Sequence, residues 1–248
     1  RQLLRLPILV VHILVGLFTI LFFPKEPKNF KNSHYRIMML WMNILSSILG
    51  IKVDIRGIPD QSANLFVSNH VTYLDIIIIN KLLPVNFIAK EEISSWPVIG
   101  RLASKTGTLF IKRGDNVESS KMIYEMEERF KLQNKIVFFP EGKIGNGKRV
   151  RKFHYKLFKS IENKELYIQP IAIRYPTGYP MNNNYSEIIS DKSLKGEMFS
   201  LYLKFLMRRR SHVILIFLDK VSTRDYKSET ITNVLADKIN HALDDLNS

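Results

Sequence analysis

The chain contains no cysteine. That absence excludes disulfides, thiolate zinc sites and a cysteine nucleophile, and it fits a reducing compartment. The Gly-x-Ser-x-Gly elbow that presents a serine nucleophile at a strand-to-helix turn is missing too. Acidic residues are scarce beside basic ones, with 23 Asp and Glu against 37 Lys and Arg, a net charge of +14. A negatively charged partner or substrate follows from that balance, and nucleic acid, anionic lipid headgroups and phosphorylated metabolites all qualify. His34, His154, His212 and His241 show no ligand spacing, so no metal site is expected. Internal repeats and low-complexity stretches are lacking. With 248 residues, 46% of them hydrophobic, the chain has enough apolar material for a buried core, which argues against disorder.

One long hydrophobic run is present, Leu6 to Phe23, flanked by Arg1 and Arg5 before it and by Lys25 and Lys28 after it. As a helix it reaches about 27 Å, just short of a hydrocarbon core of about 30 Å. It ends in Leu-Phe-Phe-Pro, without the small residues of a signal-peptide cleavage site, so a retained segment is expected. A second apolar stretch, Ile37 to Ile51, is broken by Asn43, Ser46 and Ser47, and Tyr35 and Trp41 suit headgroup depth. Together they predict a membrane-associated helical hairpin over residues 1–50.

From Gly50 onward, short apolar runs alternate with amphipathic ones, which predicts an α/β domain over 51–248. Strands are expected at Val53–Arg56, Asn64–Ser68, Asn86–Ala89, Thr108–Lys112, Ile136–Phe139, Tyr167–Ile173 and Val213–Leu218. Helices are expected at Asp75–Leu83, Val117–Leu132 and Leu194–Met207, with Asn182 to Asn184 in a loop. A closing helix carries Ile231, Val234, Leu235, Ile239 and Ala242 on one face, capped by Ser228.

Three constellations carry chemistry. His70 and Asp75 lie where an apolar strand stops and an Ile-rich helix starts. Within one helix they would point about 140° apart, so they meet only if the helix begins between them. With Thr72 as N-cap, Asp75 takes the N3 position of a capping box and points back toward His70. Its carboxylate on Nδ1 would fix the imidazole tautomer and leave Nε2 as a general base. The bare pair by itself favours a capping aspartate beside an unrelated loop histidine, and the other motifs shift the balance. The second constellation, Gly107 to Arg113, brings Lys112 and Arg113 to a strand end, where Arg113 suits a phosphate or carboxylate. The third, Phe138 to Arg149, is a strand followed by a glycine-rich loop. Gly142, Gly147 and Lys148 match the spacing of a nucleotide phosphate loop, but Arg149 stands where Ser or Thr must hold magnesium. The glycine N–H groups suit an oxyanion better, with Glu141 reaching acceptor hydroxyls.

Taken in order, these residues resemble the glycerolipid acyltransferases that include lysophosphatidic acid acyltransferase. The HxxxxD hallmark is His70 to Asp75, GxxFIxR is Gly107 to Arg113, FPEG is Phe139 to Gly142, and the Pro-centred strand is Ile168 to Ala172. The resemblance implies an α/β acyltransferase fold, a mixed sheet flanked by helices, on a membrane-dipping hairpin. It implies acyl-CoA or acyl-carrier protein as co-substrate, no other cofactor, and a lysolipid hydroxyl as acceptor. Lys90, Arg113, Glu141, Gly142 and Lys143 become the candidate substrate-binding residues. Many lysophosphatidate enzymes read Glu-Gly-Thr-Arg in the third block, whereas this chain reads Glu141-Gly142-Lys143-Ile144. Lysophosphatidate stays the first expectation for the acceptor, and lyso-ornithine or another lyso-aminolipid the second. Both acyl donors occur in the cytosol, which places the protein on that face of a membrane, the inner one in a bacterium. The rival reading is a non-catalytic basic module. Nucleic acid is disfavoured as its ligand, because the aromatic-basic interleaving of RNA-binding sheets is absent.

Overall fold

The computed structural model describes residues 4–24, 26, 30–112, 116–176, 210–224 and 226–246. Two helices come first: α1 (Arg5–Thr19), extended by a 3₁₀ turn at Ile20–Phe22, and α2 (Asn32–Ile48). Helix α2 turns Tyr35, Met38, Trp41, Met42, Leu45 and Leu49 inward at spacings of three and four, and leaves Ile37, Leu40 and Ile44 exposed. The two helices approach closely at Gly16, where an added Cβ would come within 2.7 Å of the Trp41 indole nitrogen. There the Trp41 and His12 rings stack at 4.5 Å, and Trp41 Nε1 donates to the His12 carbonyl at 3.2 Å.

At Gly50, where the sequence suggests a boundary, a φ of 71° turns the chain from α2 into β1. Contact continues across it. Leu45 and Leu49 belong to the same core cluster as Phe66, Ile78 and Val137, and the Tyr35 hydroxyl donates to Asn86 at 3.0 Å.

The strands are β1 (Ile51–Arg56), β2 (Leu65–Ser68), β3 (Val85–Lys90), β4 (Leu109–Ile111), β5 (Lys135–Phe138), β6 (Tyr167–Arg174), β7 (Ser211–Phe217) and β8 (Val221–Ser222). They form one sheet in the order β1-β7-β6-β2-β5-β3-β4, with β8 paired to β6. Strands β6, β2, β5, β3 and β4 run parallel, β7 is antiparallel to β6, and β1 is parallel to β7. Alternation of side chains feeds two cores. Phe66, Val137, Ile171 and Val213 pack on one side with α2 and α3 (Leu74–Asn80). Leu65, Val67, Ile136 and Ile168 pack on the other with α5 (Asn116–Lys131) and α6 (Ser228–Asp244). A sheet covered on both faces explains why its central strands read as unbroken apolar runs.

All seven expected strands are present, and α4 (Ile99–Lys105), the short β8 and the 3₁₀ turns join them. The expected helix at 194–207 and the loop at 182–184 lie outside the described residues. One expectation is corrected: Ser228 opens α6 as its first residue and does not cap it. Glu162 supplies the acceptor there, its carboxylate taking the Ser228 N–H at 2.9 Å.

Candidate active site

Five parallel strands bring their carboxyl ends to one edge, and the chemistry-bearing segments all follow from that edge. His70 stands two residues beyond β2, Lys90 ends β3, Lys112 follows β4, Glu141 follows β5, and Tyr175 follows β6. The end of β2 is held by Asn69, whose buried amide donates to the Ile173 carbonyl at 2.9 Å and accepts the Ile173 N–H at 2.8 Å. In effect a side chain extends the β2–β6 pairing by one step and fixes where His70 begins.

Helix α3 starts after His70 and before Asp75, so the two side chains meet, Nδ1 to Oδ2 at 2.9 Å. The same Oδ2 accepts the N–H groups of Val71 and Thr72 at 2.7 and 2.9 Å. Oδ1 accepts the Tyr175 hydroxyl at 2.8 Å. A fully buried carboxylate surrounded by donors acts as acceptor, so His70 donates to it from Nδ1, and in the neutral ring that tautomer leaves Nε2 unprotonated. The expected capping box does not form, because α3 opens at Leu74 with Tyr73 as its N-cap, which makes Asp75 the second helical residue and not the third. Asp75 takes the Thr72 N–H, while the Thr72 hydroxyl lies 3.5 Å from the Leu74 nitrogen, too long for a strong bond. The imidazole is clamped flat against Phe139 at 4.0 Å, which fixes its plane.

Glu141 faces inward. It is 2% exposed, and its two oxygens accept the N–H groups of His70 at 2.9 Å and Arg151 at 3.0 Å. Sequence reasoning aimed this carboxylate at acceptor hydroxyls, whereas its geometry braces the backbone of His70. Burial pushes its pKa above the ordinary range, and the two N–H donors pull the other way. The glycine loop closes on the same spot. Gly145 N–H donates to the His70 carbonyl at 2.6 Å, Gly142 N–H to the Phe139 carbonyl at 3.0 Å, and the Arg174 guanidinium to the Gly147 carbonyl at 3.0 Å. Gly147 has φ +69°, and an added Cβ would meet Val71 at 3.0 Å, so a side chain there would push on the residue after His70.

Lys143 is exposed and Lys90 is half-buried at the end of β3. Arg113 lies outside the described residues. Ile144, where many lysophosphatidate enzymes place arginine, is 8% exposed and points into the protein. Sequence reasoning missed Asn69 and Tyr175. Asn69 adjoins His70 but has no periodic signal, and Tyr175 is separated from Asp75 by 100 residues of chain.

A sequence model of the acyltransferase family matches residues 51–174, which carry this edge up to the residue before Tyr175. The lyso-ornithine lipid O-acyltransferase of Pseudomonas aeruginosa is 35% identical over 178 residues, 69% of either chain. The chain belongs to the acyltransferase family. The lyso-ornithine lipid O-acyltransferase of Rhodobacter capsulatus is 36% identical over 136 residues, 53% of this acyltransferase and 49% of that protein. The 1-acyl-sn-glycerol-3-phosphate acyltransferase of Neisseria gonorrhoeae is 30% identical over 147 residues, 58% and 57% of the two chains. In fold, the acyltransferase matches the crystal structure of the 1-acyl-sn-glycerophosphate acyltransferase PlsC from Thermotoga maritima, with a TM-score of 0.67, 17% identity, and coverage of 100% and 95%. The non-catalytic alternative is thereby set aside: this is an enzyme that transfers acyl groups.

Proposed function

We propose that this acyltransferase esterifies a lysolipid hydroxyl by direct attack on an acyl thioester, with His70 as general base. The observation that carries this reading is the 2.9 Å contact between His70 Nδ1 and Asp75, which leaves Nε2 able to take a proton. As the acceptor oxygen attacks the thioester carbonyl, Nε2 takes the hydroxyl proton and Asp75 stabilises the imidazolium. Collapse of the tetrahedral intermediate breaks the C–S bond, and the proton passes from His70 to the departing sulfur. Ester and free thiol result, without a covalent acyl-enzyme. The donor is acyl-CoA or acyl-carrier protein, and both place the reaction on the cytosolic face of the membrane.

For the acceptor, buried Ile144 favours lyso-ornithine lipid, because no guanidinium at that position reaches a phosphate. The Pseudomonas and Rhodobacter relatives named for that substrate support the same choice. Lysophosphatidate is the second reading, favoured by exposed Lys143 one position earlier and by the gonococcal relative.

The test offers purified enzyme one acyl donor with lyso-ornithine lipid, lysophosphatidate and lysophosphatidylethanolamine in parallel. The largest kcat/KM is expected for lyso-ornithine lipid, and a preference for lysophosphatidate would reverse the order of the two acceptors. His70→Ala is expected to cost ~10²–10⁴-fold with every acceptor. Near-normal transfer by that variant would remove the base assignment.

A further inference from the structure

We infer that Tyr175 is a positioning residue, whose phenol holds the second carboxylate oxygen of Asp75 and so sets how strongly Asp75 acts on His70. The inference rests on His70 being the base.

A buried tyrosine hydroxyl usually finds a hydrogen-bond partner, and what matters is which one. Tyr175 gives its hydroxyl to the side chain of Asp75, at 2.8 Å, with the tyrosine 8% exposed and the aspartate fully buried. The donors on Asp75 divide unevenly. His70, Val71 and Thr72 all meet Oδ2, and the phenol meets Oδ1. The three Oδ2 contacts come from residues close in sequence and form with the turn itself. The Oδ1 contact comes from the strand end across the sheet, and it is keyed to His70 by the Asn69 bridge to Ile173, two residues before Tyr175. The phenol therefore stops the carboxylate from rotating about its Cβ–Cγ bond, and it withdraws charge from the oxygen that faces the imidazole.

Removing it has a signed consequence. A carboxylate relieved of one donor holds more charge toward His70 and stabilises the imidazolium more than the neutral ring. Among the described residues, the other ionisable groups at His70 are Tyr73, whose ring meets the imidazole edge-on at 6.3 Å, Glu141, which accepts the His70 backbone N–H, and Arg151, whose backbone N–H meets the Glu141 carboxylate. All three are unchanged in the Tyr175 variants.

The experiment uses the full chain in detergent micelles and compares wild type, Tyr175→Phe and enzyme carrying 3-fluorotyrosine at 175. For Tyr175→Phe, kcat should fall by up to ~10-fold on the acid side of the profile, with both KM values nearly unchanged. The acid limb of the pH–rate profile should move up by about one pH unit, so that the loss shrinks as pH rises. Titration of the His70 ring by NMR should move in the same sense. The stronger donor, 3-fluorotyrosine, fills the same space and should move the limb downward. A limb that stays in place in both variants, or a loss of the same factor at every pH, would show a packing role and overturn the inference. Full activity in His70→Ala would instead overturn the base assignment beneath it.

Discussion

Glu141 is held between two backbone N–H groups, so replacing it tests whether His70 depends on its brace. Glutamine keeps the shape but turns an NH₂ toward one of those donors, leaving a buried N–H facing another donor. Glu141→Gln should cost about 1–3 kcal/mol of stability. Its kcat should fall ~10–100-fold, because displacement of a catalytic group by about 1 Å is worth that much. The KM for the acceptor should change little; a large rise in KM at constant kcat would place Glu141 against the acceptor after all. The pH dependence carries a sign. Burial raises the Glu141 pKa in the folded state, so its contribution to stability is complete below the unfolded value and is lost as pH rises through the folded one. Wild-type Tm should therefore decline across that window, and the non-titrating glutamine variant should lack this part of the slope.

At the scale of elements, α1 and α2 differ in what their removal does. Helix α1 buries only His12 and Gly16, whereas α2 sends Leu45 and Leu49 into the main core and ties Tyr35 to β3. Deleting residues 1–31 should leave an α/β body that unfolds cooperatively, and deleting 1–50 should not. Two lost leucines alone amount to roughly 4–10 kcal/mol, comparable to the stability of a whole domain. Equal Tm values for the two truncations would contradict this. The strands were legible because each is a short apolar run bounded by polar or turn residues, and the periodicity of α2, α5 and α6 gave the helices. Neither pattern reveals which strand pairs with which, so the reversed pair β1 and β7 was not legible. The cap on α6 escaped for the same reason: Glu162 lies 66 residues from Ser228 in the chain. In the site, His70 and Asp75 could be joined by local geometry, but the inward aim of Glu141 depends on Arg151 arriving from the far side of the glycine loop.

For the whole molecule, two forces act toward a membrane and can be ranked. The stretch Arg5–Phe22 is long and apolar enough to cross a bilayer and is 11% buried within the protein. Leu6, Ile8, Val11, Leu14, Phe18, Leu21 and Phe22 are exposed along it. Each such side chain contributes about 1.5–3 kcal/mol on burial, against about 1 kcal/mol for a cation near an anionic surface, and salt screens only the second. Full-length enzyme should therefore stay in the membrane fraction at 1 M salt and leave it only in detergent, and a protein lacking α1 should be released by salt. Release of the full chain by salt alone would put the anchor in the basic surface. The strand order has a consequence for how the enzyme is made. Strand β2 must wait for β5 and then β6 to flank it, and β1 finds β7 only after residue 211 has been synthesised. Tyr175 reaches Asp75 later than every local contact of that residue. During translation α1 emerges well before any of this, so the segment long and apolar enough to cross a bilayer is available while the catalytic edge is still open and the sheet unpaired.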